Sequence, residues 1–229
     1  MNVTEIRVVD CVPFENYPFK IQDNSDMEML IDSIKESGVL IPIVVRPKGK
    51  EYEILSGHRR IYACKMSGID KVPAIIRELS REEAVIFMVD SNLHREGLLP
   101  SEKGFAYKMK LEAMKHQGRT SDQVGQKLTS VQALADSSSD SKTQVQRYIR
   151  LTFLEKPLLD LVDEGRIALT PAVELSRLLP EEQRNLIETI ESEDCTPSLS
   201  QSVRMRKLSN DGLLTMDKIF EIMTEVKGN

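Results

Sequence analysis

Cysteine is scarce: 229 residues contain three, Cys11, Cys64 and Cys195, far apart and without a CxxC pair. An odd, dispersed set of thiols supports neither a disulfide framework nor a zinc site, and Cys64 reads as a small core residue. Histidine is equally rare, at His58, His94 and His116. No run approaches the ~18 apolar residues that a membrane span requires, and the opening MNVTEIRVVD lacks a basic segment followed by an apolar one. The expectation is a soluble, cytoplasmic protein. Positive charge is not in surplus either: 31 Lys and Arg against 36 Asp and Glu leave a net charge of −5. That total argues against a chain that coats nucleic acid or anionic membrane along its length. With 40% hydrophobic and 29% charged residues, the chain is too balanced for disorder and long enough for one large or two small domains.

The total hides an asymmetry. Residues 1–100 carry a net of −3 and residues 152–229 a net of −6, whereas residues 101–151 carry +4. A basic segment held between two acidic ones is more informative than the sum.

The first hundred residues read as an α+β domain. TEIRVVD alternates as a strand. Asp26–Ser37 sets Met27, Leu30, Ile31 and Ile34 on one helical face and ends at Gly38, a residue that favours the left-handed stop. Ile41–Arg46 is β-branched and apolar, a buried strand, and Glu51–Leu55 and Val72–Ile76 are two more. Gly57-His-Arg-Arg60 opens a two-turn helix that closes at Gly68. Ser80-Arg-Glu-Glu83 fits a capping box, so a helix is expected from Arg81 toward Asn92. Two places in this domain could carry chemistry. In SGHRR a glycine permits a sharp strand-to-helix turn, the helix start offers free N–H groups, and Arg59 and Arg60 add forked donors; together these can cradle an anion or phosphate. In Ser91-Asn-Leu-His-Arg95 an amide, an imidazole and a guanidinium share a helix end. The alternative is a pair of arginines bridging acidic neighbours and an asparagine capping a helix.

From Pro100 the β-branched runs give way to helical periods. One helix is expected from Pro100 to Gln117, stopped by Gly118, and a short one over Thr129–Asp136. After the polar turn Ser137–Ser141 comes Lys142–Arg150, with Val145 and Ile149 inward and Lys142, Thr143, Gln144, Gln146, Arg147 and Arg150 on its polar surface. Helix, tight turn and helix with amides and guanidiniums outward is what reading base edges and phosphates requires, and this unit coincides with the +4 segment. An ordinary αα-hairpin with a polar face is the alternative. Further helices start at Pro157, Thr170-Pro171 and Pro180. Arg204, Arg206 and Lys207 form a small basic cluster, read as surface. Leu214–Val226 is a last amphipathic helix without an evident partner.

Four strings in order, Gly38–Arg46, Ser56–Ala63, Val72–Ile76 and Asn92–Glu102, resemble the ParB/RepB family of partition proteins, and the resemblance extends over roughly residues 1–210. It implies a small mixed N-terminal ParB-like domain over 1–98, an all-helical DNA-binding domain with the helix-turn-helix over 99–210, and 211–229 as a C-terminal helix or the start of a truncated region. It further implies a homodimer on a short palindromic, centromere-like site in double-stranded DNA, a chromosome or mobile element as cargo, a ParA-type ATPase partner and nucleoid association without membrane contact. Better-studied members bind CTP and close as a sliding clamp; their nucleotide motifs map onto Arg46, Gly57, His58, Arg59, Arg60, Asn92 and Arg95. The chain departs from the family where GERR becomes Gly57-His-Arg-Arg60 and Glu-Asn becomes Ser91-Asn92. Each change removes a carboxylate, the oxygen donor that Mg²⁺ prefers, so bound Mg²⁺ is not expected and whether a weak CTPase activity persists stays open. Ser139 stands where the turn often has glycine, and Ser138 where it is usually apolar. Two other functions stay open: a nucleotide-hydrolysing, phosphotransfer or nuclease enzyme drawing on Glu53, Glu96, Glu102, His58 or His94, and a transcriptional regulator.

Overall fold

The computed structural model describes residues 2–120, 130–136, 138 and 140–225. They group into two compact units: Met1–Glu96 with Met109–Ser130, and Gly97–Lys108 with Val131–Asn229.

The first unit is built on a five-stranded mixed sheet. Strands β1 (Val3–Arg7), β2 (Cys11–Val12), β3 (Ile43–Lys48), β4 (Glu51–Ser56) and β5 (Lys71–Ile76) lie in the order β1-β5-β3-β4-β2. β1 and β5 run antiparallel, β5 and β3 parallel, β3 and β4 antiparallel, and β4 and β2 parallel. Alternation explains the buried face: Ile43 and Val45 of β3 and Val72 and Ala74 of β5 are fully covered, as period-2 side-chain placement requires. Helix α1 (Ser25–Ser37) adds Met27 and Ile34 to this core, and α2 (His58–Ser67) adds Ile61, Ala63 and Cys64. The side chain of Asn24 accepts from the N–H of Met27 to start α1, and Gly38 ends it at φ 69°. Helix α3 (Arg81–Leu93) begins with the expected capping box, Ser80 and Glu83 each bonding the other's backbone N–H. The two-residue strand β2 carried no signal of its own: it is too short for a pattern and exists because β4 offers an edge.

Helix α4 (Pro100–Thr120) does not stop at Gly118 as the glycine suggested; it is 21 residues long and runs on to Thr120. An interior glycine costs only ~1 kcal/mol against alanine, too little to end a long helix without a left-handed cap.

The second unit is all-helical: α5 (Ser130–Asp136), α6 (Lys142–Leu151), α7 (Lys156–Asp163), α8 (Leu169–Leu175), α9 (Pro180–Glu193), α10 (Leu199–Asn210) and α11 (Met216–Thr224). Asp163 of α7 accepts from both the N–H (3.0 Å) and the hydroxyl (2.5 Å) of Ser101, satisfying the start of α4. Ala168, not Thr170-Pro171, precedes α8, and both of those residues lie in its first turn. A core of Leu158, Ile167, Leu175, Leu186 and Met205 also takes in Ile219, Ile222 and Met223. The expectation that the last helix lacks a partner is therefore corrected. α11 buries its apolar stripe against α9 and α10, and Gln201 of α10 donates to the carbonyl of Ile222 at 2.7 Å.

Candidate functional site

In the first unit, β4 turns into α2 through Gly57, which sits at φ 110°. A Cβ there would fall 2.5 Å from Cγ2 of Ile43, so the tight approach of turn to sheet requires glycine. No side chain caps the helix that follows, and its first N–H groups are left as anion donors.

His58 is the first residue of that helix. It is only 6% exposed, neither ring nitrogen has a hydrogen-bond partner among the described residues, and burial pushes its pKa down to about 4. The imidazole is thus neutral at physiological pH. Its ring stacks on Tyr17, with centroids 3.6 Å apart and planes 18° from parallel. The Tyr17 hydroxyl donates to Oδ1 of Asn92 at 3.2 Å. Nδ2 of Asn92 donates in turn to the carbonyl of Met88 at 2.7 Å. Two of the strings singled out in the sequence, around 57–60 and 91–95, are therefore joined through a residue in neither. No strand or helix period marks Tyr17; the signal available is local density, since Phe14, Tyr17 and Phe19 crowd three of the chain's eleven Phe and Tyr residues into six positions.

The arginines divide. Nη1 of Arg60 donates to the carbonyls of Ile41 (2.5 Å) and Pro42 (2.8 Å), clipping the loop between α1 and β3 to α2. Arg46 is held by Glu53, through Nε and Nη2 at 2.7 Å each, and Lys48 reaches the other carboxylate oxygen at 3.0 Å. Burial alone would raise the pKa of fully covered Glu53; the bonds from Lys48 and Arg46 hold it below its usual value. By contrast, among the described residues the buried Nε of Arg59 has no partner and the Arg95 side chain has no ion pair. Of the carboxylates considered for catalysis, Glu53 is occupied by its two cations. Glu102 belongs to the second unit, where it accepts from the N–H of Leu99 at 2.8 Å.

In the second unit, Ser141 caps α6 by accepting from the N–H of Gln144 at 3.2 Å. Val145 and Leu151 are buried, while Lys142, Thr143 and Gln146 are exposed and Gln144, Arg147 and Arg150 partly so. Ile149, expected inward, is only partly covered. Arg147 donates to the Thr170 hydroxyl. Arg150 donates to Oγ and O of Ser176 at 3.1 and 2.8 Å. The segment ahead of α6 is secured by Asp140, which accepts from Tyr107 at 2.7 Å and Lys103 at 3.1 Å. Ser138, where an apolar residue was the family's habit, donates to the carbonyl of Ala135 at 3.3 Å. Ser137 and Ser139 lie outside the described residues.

A family model described as the ParB N-terminal domain matches residues 1–93. Stage 0 sporulation protein J of Bacillus subtilis is 33% identical over 167 residues, which are 73% of this chain and 55% of that protein. Chromosome-partitioning protein Spo0J of Thermus thermophilus is 30% identical over 181 residues, 79% of this chain and 62% of its own. The chain thus spans between about half and two thirds of the length of these relatives. Among solved structures, a C-terminally truncated chromosome-partitioning protein ParB from Caulobacter crescentus, complexed to the centromeric parS site, superposes with a TM-score of 0.52 at 21% identity. It covers 89% of this chain and 98% of the matched one, a likeness of fold.

Proposed function

The chain belongs to the ParB family of partition proteins, and from that premise we propose that it binds a specific centromere-like DNA site, as a dimer, and serves the segregation of a replicon together with a ParA-type ATPase. The observation that carries the DNA reading is α6: a capped helix anchored by Val145 and Leu151, with Lys142, Thr143 and Gln146 left in solvent. α5 and α6 are the two helices of the helix-turn-helix, and amide and cationic groups on one exposed face can bond base edges and phosphates. Replacing Gln146 and Arg147 together by alanine abolishes preference for the specific site over mixed DNA in a gel-shift assay, while the fold persists. Equal preference in parent and variant refutes the assignment.

The N-terminal unit is the place for a nucleotide, CTP in this reading. The residues fit an anionic group: uncapped N–H donors at α2, a glycine that a Cβ would turn into a clash, an unpartnered Nε on Arg59 and unpartnered nitrogens on His58. Arg59 and the α2 N–H groups would hold phosphate, with Arg95 in support. Arg46 and Arg60 act indirectly, since their donors already shape the β3–β4 hairpin and the α1–β3 loop. Calorimetric titration with CTP, ATP and GTP, each with and without Mg²⁺, tests this reading. Arg59→Ala is expected to weaken CTP binding at least tenfold, and undiminished affinity in that variant overturns the cradle.

A further inference from the structure

Phe153, just past α6, is 53% exposed, and two cations lie against its ring. The guanidinium carbon of Arg150 is 4.6 Å from the centroid and Nζ of Lys108 is 5.4 Å from it. A third cation, Arg177, directly follows Ser176, whose hydroxyl and carbonyl oxygens accept from Arg150; burial first, and then the charge of Arg177, push the Arg150 guanidinium below its usual pKa. Like charges held together in this way cost stability unless something negative joins them. No carboxylate does so: among the described residues none of Lys108, Arg150 and Arg177 has an ion pair, whereas nearby Lys103 and Arg184 are matched to Asp140 and Glu155. Arg150 is also anchored. Its Nε and Nη2 are bonded to the buried Ser176, which orients the Nη1 edge and leaves it without a partner among the described residues.

We propose that Lys108 and Arg150, held against Phe153, and Arg177, next in the chain to the serine that anchors Arg150, seat a backbone phosphate of duplex DNA beside the stretch contacted by α6. The proposal rests on the DNA reading above and extends it to residues on three different segments. The ligand is assigned as DNA backbone rather than an acidic protein because Arg150 lies on the same helical stripe as Thr143, Gln146 and Arg147, so a duplex that meets the exposed end of α6 continues over Arg150. Phe153 is a positioning residue: its faces hold the two cationic heads by cation–π attraction.

The test is fluorescence anisotropy of the whole chain on a labelled mixed-sequence duplex, repeated across a salt series. Arg177→Gln should lower affinity several-fold on every sequence and reduce the slope of log K against log salt by ~0.9, the loss of one phosphate contact. Phe153→Leu, which keeps every charge, should also weaken binding, while Arg204→Gln on α10, an exposed arginine paired with Glu225, serves as the charge-matched control and should change neither. An unchanged slope for Arg177→Gln, or an equal effect of Arg204→Gln, overturns the phosphate seat and leaves the DNA reading intact. Failure of the parent chain to bind any duplex overturns both. Arg177 is exposed, so that arm survives even if Phe153→Leu unfolds the helix pair.

Discussion

A buried imidazole with both nitrogens unpartnered is costly, because each desolvated polar atom forfeits its bonds to water. His58 bears that cost at the first turn of α2, and its pKa of about 4, against an ordinary 6.5, makes the cost visible to pH. As pH falls, the unfolded chain takes up the proton first, so folding stability is undiminished by this titration above about 6.5 and falls between 6.5 and 4. Urea unfolding should show the first unit losing roughly 2 kcal/mol between pH 7 and 5 from this group, and His58→Phe, which keeps an aromatic ring against Tyr17, should remove that part of the slope. Parallel pH profiles for parent and variant would mean that His58 is not held neutral. At Gly57 the demand is steric: Gly57→Ala places a methyl 2.5 Å from Ile43 at a φ of +110°, and the expected loss is about 2–4 kcal/mol in thermal unfolding. The glycine could be read in sequence because a sharp strand-to-helix turn demands it locally. The Tyr17 stack could not, since it joins positions 41 and 75 residues apart whose proximity only the fold creates.

Among the elements, the β3–β4 hairpin and the α4–α6 contact show how pairing overrides pattern. Glu53 is a carboxylate, yet it is fully covered, with Arg46 and Lys48 both bonded to it. Glu53→Ala leaves Arg46, 13% exposed, without its anion, and equilibrium unfolding should register a loss of about 3 kcal/mol. Gly104 lies inside α4, where alanine would ordinarily stabilise by up to ~1 kcal/mol. A Cβ at that position meets the carbonyl oxygen of Tyr148 at 2.6 Å, so Gly104→Ala should instead destabilise by about 1–3 kcal/mol, measured by thermal melting. Helices α1, α3, α6 and α9 were legible from caps and period. The far end of α4 was not, because a glycine weighs little against the contacts of a long helix.

At the scale of the whole molecule, the described residues form two separate apolar clusters, one under the sheet and one among helices α6–α11. α11 belongs to the second. A chain ending at Asp211 uncovers Leu186, Met205 and their neighbours and deletes Ile219, Ile222 and Met223, each worth ~1.5–3 kcal/mol when buried. Calorimetry should find the helical unit's transition lowered by many degrees or absent, and an unshifted transition would show that α11 is dispensable to that core. The net charge of −5 is likewise a composite, confining a basic α4–α6 stretch between acidic ones. Composition, caps and periodicity by themselves determined the class and most of the elements, since these depend on local backbone preferences and on which faces are apolar, and the four ordered strings carried the resemblance to a family. Only the tertiary structure decided which arginines remain free, that a tyrosine links the two N-terminal strings, and that cations gather around Phe153. Such outcomes depend on distances between residues remote in the chain, and no local pattern encodes them.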